Sequence, residues 1–189
     1  MSKRRLGIGK TPGETPQPII QAEEGAVMIE FAIILPIMVM LFLGMVEFGE
    51  AFTVDRKLTS AASTVSDLVA QGPKITPAEL SDIADVAEEI IKPYRLQNFA
   101  LVISSVQADA NNNAVVRWSY AEGTGATARA QGSSVTLPLG LTEPNSSVIL
   151  TETTYQFTPS VGMFLTGVIG LNSQAYFRPR VTRVVMLDD

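Results

Sequence analysis

The chain has 189 residues, of which 46% are apolar and 17% charged, and its formal net charge is −5. It contains no cysteine and no histidine, which excludes disulfides and thiolate metal sites and removes the usual general base and the commonest zinc ligand. Ten basic and sixteen acidic residues follow residue 25, and this acidic balance argues against nucleic acid as a partner.

Residues 1–25 are predicted to form a short polar leader, in which prolines and glycines disfavour ordered structure before residue 21. The leader carries four basic residues, whereas two, Arg56 and Lys57, closely follow the apolar stretch that comes next. The positive-inside rule therefore places the N-terminus in the cytoplasm and the distal part on the other side of the membrane. A secretory signal peptide fits poorly, because its apolar region should have only about 7–15 residues.

An apolar stretch from Gly25 to Phe52 dominates the sequence. The sixteen residues between Glu30 and Glu47 carry no charge. A helix over residues 26–48 would be ~34 Å long and could cross a hydrocarbon core of ~30 Å. Because apolar residues occur all round this helix rather than along one stripe, we predict a membrane-spanning helix. The alternative is a buried core helix.

Several residues of the predicted span need a physical explanation. Glu30 lies one turn inside the apolar stretch, where a lone carboxylate should have a partner or lie near the interface. Glu47 would lie at the opposite boundary of the hydrocarbon layer, and both carboxylates could simply reach the headgroups. Pro36 removes one backbone hydrogen bond and should kink or loosen the helix. Gly44 and Gly49 would permit close packing against another helix, and we count Glu47 with them as a candidate residue of helix packing.

Two helical patterns follow Phe52. Apolar residues at spacings of three and four predict an amphipathic extension of the first helix, ending at Gly72-Pro73. Thr76 to Glu79 is a capping-box signature with proline in the first helical position, and Pro93 should end the helix that it starts. The expected buried face of this second helix is Leu80, Ile83, Val86, Ala87 and Ile90.

The remainder is typical of β-strands. Residues 98–109 and 113–122 flank an asparagine-rich turn and should form a hairpin, followed by a long glycine-rich loop over 123–145. Further strands are predicted at 147–159 and 173–187, the latter at a sheet edge or bulge because of Pro179. We expect an α+β fold in which a small antiparallel sheet packs on the helices.

The patterns do not predict catalysis. The serines and lysines lack an S-x-x-K spacing, and the distal carboxylates are scattered. Asp109 with the asparagines that follow it lacks the further ligands of a calcium loop and is typical of a turn. We therefore expect a protein that is not an enzyme and has no metal site and no cofactor.

The junction at Gly25 carries the most specific signal. A basic polar leader ends in Gly25, Ala26 is small, and Glu30 stands five places after the glycine and is followed by Phe31 and an apolar run. This string, GAVMIEFAIILP followed by LGMVEFGEAF, resembles the prepilin processing site and the TadE family of pseudopilins of the tight-adherence (Tad) pilus, a type IVb system. DRKLTSAASTVSDLVAQ, VRWSYA, TTYQFTP and AYFRPR resemble the periplasmic parts of TadE/TadG-like proteins more loosely.

The resemblance implies a minor pseudopilin that primes, tips or regulates a pilus. A prepilin peptidase would cut between Gly25 and Ala26, and Glu30, next to Phe31, would meet the new N-terminal amine of a neighbouring subunit. Implied partners are that peptidase, other pilins and pseudopilins of the Tad system, the inner-membrane assembly platform and membrane lipid. The implied domains are a cytoplasmic leader (1–25), the transmembrane helix with its extension (26–72) and a periplasmic domain (73–189).

The residues leave one alternative open. The chain could be an uncleaved, signal-anchored envelope protein whose periplasmic domain is a protein-binding module.

Overall fold

The computed structural model of the chain describes residues 20–138 and 140–188, with side chains from residue 25 onward. Most of the predicted leader lies outside these residues. The described helices are α1 (Ile20–Ala70) and α2 (Pro77–Ile91), with a short 3-10 turn at Leu96–Asn98. The strands are β1 (Lys74–Ile75), β2 (Phe99–Ala108), β3 (Ala114–Gly123), β4 (Ser147–Phe157), β5 (Ile169–Phe177) and β6 (Met186–Leu187).

The chain divides into two compact units between Phe42 and Leu43. The described part of the first unit is α1 up to Phe42. The second unit contains the rest of α1, α2 and all described strands. This second unit therefore includes residues 43–70, which the sequence assigns to the transmembrane helix and its extension.

In the second unit, α1 presents one face to the core. The predicted stripe is confirmed, since six of its seven apolar residues are buried: Val54, Leu58, Ala61, Ala62, Val65 and Val69. Ser66, on the same side, donates a 2.7 Å hydrogen bond to the Thr151 hydroxyl of β4. The polar atoms that this packing buries are thus paired with each other.

The second helix begins as the capping box predicts. The Thr76 hydroxyl accepts a 3.3 Å hydrogen bond from the Glu79 N–H, and a Glu79 carboxylate oxygen accepts a 2.8 Å bond from the Thr76 N–H. The buried residues of α2 are Leu80, Ala84, Ala87 and Ile91. The prediction that Val86 is buried was wrong, because the inner face of the helix runs through Ala84 and Ile91 and leaves Val86 39% exposed.

Four strands form an antiparallel sheet in the order β3-β2-β4-β5. The hairpin of β2 and β3 is confirmed, and the predicted α+β fold is present. The inner face of the sheet contributes Phe99, Leu101, Ile103, Ile149 and Tyr155 to the same core as the helices. The sheet and the two helices thereby bury their apolar faces against one another.

The long loop between β3 and β4 is fastened to the sheet by a charged pair. The Arg129 guanidinium donates two hydrogen bonds, of 2.7 and 2.8 Å, to the Glu152 carboxylate on β4. Gln174 of β5 donates a further 3.1 Å bond to the same carboxylate. Such a bidentate pair has defined geometry, so the loop has a fixed attachment to the sheet.

The predicted strand over 173–187 was wrong in its bounds. β5 starts earlier, at Ile169, which pairs with Phe157 of β4, and it ends at Phe177 before Pro179 interrupts the pattern. The following segment leaves the sheet, and its Arg180 N–H donates a 2.9 Å bond to the Ala70 carbonyl at the end of α1. The last two residues of the predicted strand form β6, which pairs in parallel with β1.

The capping box leads to a stability prediction. Thr76→Ala should lower the free energy of unfolding of the second unit by ~0.5–2 kcal/mol, because the Glu79 N–H loses its acceptor. Trp118 is the single tryptophan and is buried in this unit, so its fluorescence can follow denaturant unfolding of the full chain in detergent. Thr76→Ser keeps the hydroxyl and is the control. Equal midpoints for the two variants would contradict the assignment of the cap.

The same box predicts a pH dependence. The backbone N–H of Thr76 and then its hydroxyl hold the pKa of Glu79 below its ordinary 4.5. The stabilisation by the Glu79 charge is therefore complete above that ordinary value and is lost as the pH falls through the lower folded-state pKa. Glu79→Gln should lower the unfolding midpoint more at pH 7 than at pH 3. The same difference from the parent at both pH values would exclude a contribution from the charge.

Candidate functional site

The first unit presents an apolar helical surface. Every described side chain from residue 25 to residue 42 is exposed within the chain, including Phe31 at 57% and Phe42 at 64%. Within the described residues, α1 is the one helix that is long and apolar enough to cross a membrane, with a mean hydropathy of 2.6 over its most apolar window. Such an apolar surface is suited to lipid or to other apolar helices.

The predicted processing residues lie inside this helix. α1 begins at Ile20, so the peptide bond between Gly25 and Ala26 is within a helical segment. Glu30 lies four residues after Ala26, one turn further on nearly the same side of the helix, and is exposed within the chain. Phe31 follows it. The backbone therefore brings Ala26 and Glu30 close together on one surface.

Pro36, where a kink is predicted, lies inside α1 as well. The helix continues through Pro36 without a break. The missing N–H removes one hydrogen bond of the backbone ladder, four residues back along the chain. The helix is thus continuous at Pro36 but has one backbone hydrogen bond fewer there.

Glu47 is the most unusual side chain of the second unit, because it is a carboxylate with no exposed surface. Its Oε1 accepts a 2.7 Å hydrogen bond from the Met163 N–H. Its Oε2 accepts bonds of 3.0 and 2.9 Å from the N–H groups of Phe164 and Leu165. Three successive amides that converge on one carboxylate form an anion-binding concavity in the backbone. Glu47 thereby holds the loop between β4 and β5, residues 158–168, which we call the β4–β5 loop.

Two neighbours on α1 extend this contact. Gly44, one turn before Glu47, faces the ring of Phe164 so closely that a Cβ would lie 3.0 Å from the ring atoms Cδ2 and Cε2. Glu50, one turn after Glu47, accepts hydrogen bonds of 2.8 and 3.1 Å from the Ser160 hydroxyl. One face of α1 therefore binds the loop over two turns. Gly49 is on another side, where a Cβ would meet nothing within 4 Å.

The sequence did not predict this contact. The sequence predicts packing between helices for Gly44 and Glu47, with contact to headgroups as a second interpretation for Glu47, but it does not predict binding of a loop. The partner amides lie 116 to 118 residues away, and backbone N–H groups leave no residue-type signal. A usable hint was the charge-free stretch from Thr153 to Phe177, with Gly162 and Gly167 inside it.

Residues 25–67 of the chain match the family model of TadE-like proteins. This segment is TadE-like. The TadE-like segment begins at the predicted cleavage residue and includes Glu30, Gly44 and Glu47, whereas the β4–β5 loop lies outside it. Neither the curated proteins nor the solved structures yielded a match to the chain.

The two glycines of α1 provide a matched test of the loop contact. Alanine is more favourable than glycine in a helix by ~0.8–1 kcal/mol, and Gly49→Ala should gain about this much because its surroundings are open. Gly44→Ala should stabilise the second unit less or destabilise it, because the Phe164 ring would have to move. Unfolding midpoints from Trp118 fluorescence compare the two variants. Equal stabilisation would contradict the contact between Gly44 and Phe164.

Proposed function

We propose that the protein is a minor pseudopilin that takes part in the biogenesis of a Tad, type IVb pilus. The observation that carries the proposal is the TadE-like segment, which starts at Gly25 and implies involvement in the Tad system. We place residues 26–48 of α1 in the bacterial inner membrane as a single span, with the N-terminus in the cytoplasm and the part of the second unit that follows the span in the periplasm. Four basic residues before the span and two after it support this orientation.

We further propose that a prepilin peptidase cuts between Gly25 and Ala26. In a helix, the amide groups around this bond are hydrogen-bonded to residues one turn away, so the bond has to leave the helix before it is cut. Glycine in a helix interior is less favourable than alanine by ~0.8–1 kcal/mol. Gly25 therefore lowers the cost of local opening and leaves its backbone unobstructed by a side chain.

Cutting would give Glu30 a partner. The new α-amine of Ala26 would be a cation at neutral pH, with an ordinary pKa of ~7.7–8.0. A carboxylate in an apolar layer is costly unless it is paired. An ion pair between Glu30 and the amine of a neighbouring subunit would offset part of that cost and fix the axial register of the two helices.

The surface of the first unit suits assembly with other helices. Between Glu30 and Leu43 it offers exposed apolar side chains on all sides and no charge. In the proposed function these residues contact lipid before assembly and the helices of other pilins and pseudopilins afterwards. Pro36 lies within this segment, where its missing hydrogen bond would ease local unwinding as a subunit leaves the bilayer for the assembly platform.

The alternative of an uncleaved anchor has one observation in its favour. α1 starts at Ile20 and continues through the Gly25–Ala26 bond, as a permanent signal anchor would. In that case the second unit would act as a periplasmic protein-binding module. The N-terminal residue of the membrane-bound protein distinguishes the two functions.

Processing and assembly can be separated by substitution. Gly25→Val should leave residues 1–25 attached, which N-terminal sequencing and slower electrophoretic migration would show. Gly49→Val is the matched control, since it adds the same side chain to α1 at an open position and should be processed normally. If Gly25→Val is cut as efficiently as the parent, the proposed cleavage site is wrong.

Glu30 should act after processing. Glu30→Leu and Glu30→Gln remove the charge, so membrane insertion should be unharmed, but co-purification with other pilin-like subunits and pilus output should fall sharply. Glu30→Asp keeps the charge and should recover part of the loss. Leader cleavage and membrane level are measured alongside for each variant. Parent-like pairing and pilus output by Glu30→Leu would refute the ion pair.

A further inference from the structure

The β4–β5 loop is apolar and exposed at the same time. It lies in a stretch from Thr153 to Phe177 without a charged residue. The exposed fraction is 47% for Val161, 49% for Met163 and 63% for Val168. Large apolar side chains grouped in this way on a surface indicate an interaction site.

The loop is held at a defined level along α1. Gly44, Glu47 and Glu50 bind it through Phe164, the three amides and Ser160. Gly44 and Glu47 belong to the last turns of the apolar stretch that would cross the hydrocarbon core over residues 26–48. The loop therefore lies beside the end of the span rather than further along the second unit.

The side chains of α1 at this level are also apolar and exposed. Met45, Phe48 and Phe52 have exposed fractions of at least 49%. A helix that leaves a bilayer has lipid around it at this level, and the loop lies against that same helix. Lipid is thus the one partner that covers both the loop and these α1 side chains, and no second protein is required.

The hydrogen bonds of the loop suit the membrane boundary. Irregular backbone is not tolerated next to lipid unless its polar groups are paired. Glu47 pairs the N–H groups of Met163, Phe164 and Leu165, and these amides in turn pair a carboxylate that would be costly so close to the hydrocarbon. Each group thereby reduces the desolvation cost of the other.

We propose that the β4–β5 loop is a second membrane contact, which inserts Val161, Met163 and Val168 into the headgroup–acyl boundary of the bilayer that α1 spans. Burial of apolar side chains in this layer is favourable. The loop would hold the second unit against the membrane surface on its own side. The inference rests on the proposed anchoring of α1.

The experiment uses the absence of native cysteine. Four exposed valines are replaced one at a time by cysteine and spin-labelled in the full chain, reconstituted in phosphatidylethanolamine–phosphatidylglycerol vesicles: Val39, Val161, Val168 and Val181. Collision with oxygen and with a water-soluble nickel chelate then reports the depth of each label. Val39 lies in the span. Val181 is the control for a site away from the membrane, and its side chain is 67% exposed. The residue before it, Arg180, donates a hydrogen bond to the Ala70 carbonyl at the end of α1. Ala70 lies ~35 Å along the helix from Glu47.

The labels at Val161 and Val168 should collide more with oxygen and less with the nickel chelate than the label at Val181, as the label at Val39 does. Nickel accessibility at Val161 and Val168 equal to that at Val181, with Val39 in lipid, would overturn the loop contact alone. A Val39 label in water would overturn the anchoring itself. Protection of the loop labels that disappears when the protein is diluted in lipid would show that another copy of the chain covers the loop, which also contradicts the proposal.

Discussion

In the second unit, one buried charge joins α1 to the β4–β5 loop. Glu47 has no exposed surface, and its carboxylate is bound by three consecutive backbone amides of a loop more than a hundred residues later in the chain. A charge can be buried only where such bonds replace its hydration. The constraint is mutual, because each of these amides would cost ~1–3 kcal/mol if it were buried without an acceptor. The loop conformation and the helix face therefore require each other.

This interaction lies where the chemistry of α1 changes. Before Leu43 the helix is exposed on all sides and carries the residues on which the proposed pilin assembly rests, namely Gly25 and Glu30. From Val54 onward one face is buried in the core of the second unit. Glu47 stands between these two regimes. α1 begins to bind the β4–β5 loop between its fully exposed part and the part that has one face in the core.

Local patterns made much of the fold predictable. The stripe from Val54 to Val69, the Thr76 cap and the hairpin of β2 and β3 each depend on residues a few positions apart, and their chemistry is visible in the sequence. The pairing of β1 with β6 and the binding of Glu47 depend on backbone groups that are distant in the chain. Backbone amides have no residue type, so no motif marks them. Gly44 and Glu47 are recognisable from their residue types and their places in the apolar stretch, whereas no motif marks their partners Met163, Phe164 and Leu165.

The most direct test of the buried charge is hydrogen exchange at the amides of Met163, Phe164 and Leu165, measured by NMR on the full chain in a lipid nanodisc. We predict that all three amides exchange slowly in the parent. Glu47→Gln replaces one of the two acceptor oxygens by an NH₂ group that cannot accept, so the amides bound by that oxygen should exchange much faster. Core amides such as that of Leu101 should remain protected. Glu50→Gln, which affects a bond to the Ser160 hydroxyl, should leave the three amides slow. Equally slow exchange of the three amides in Glu47→Gln and in the parent would contradict the account.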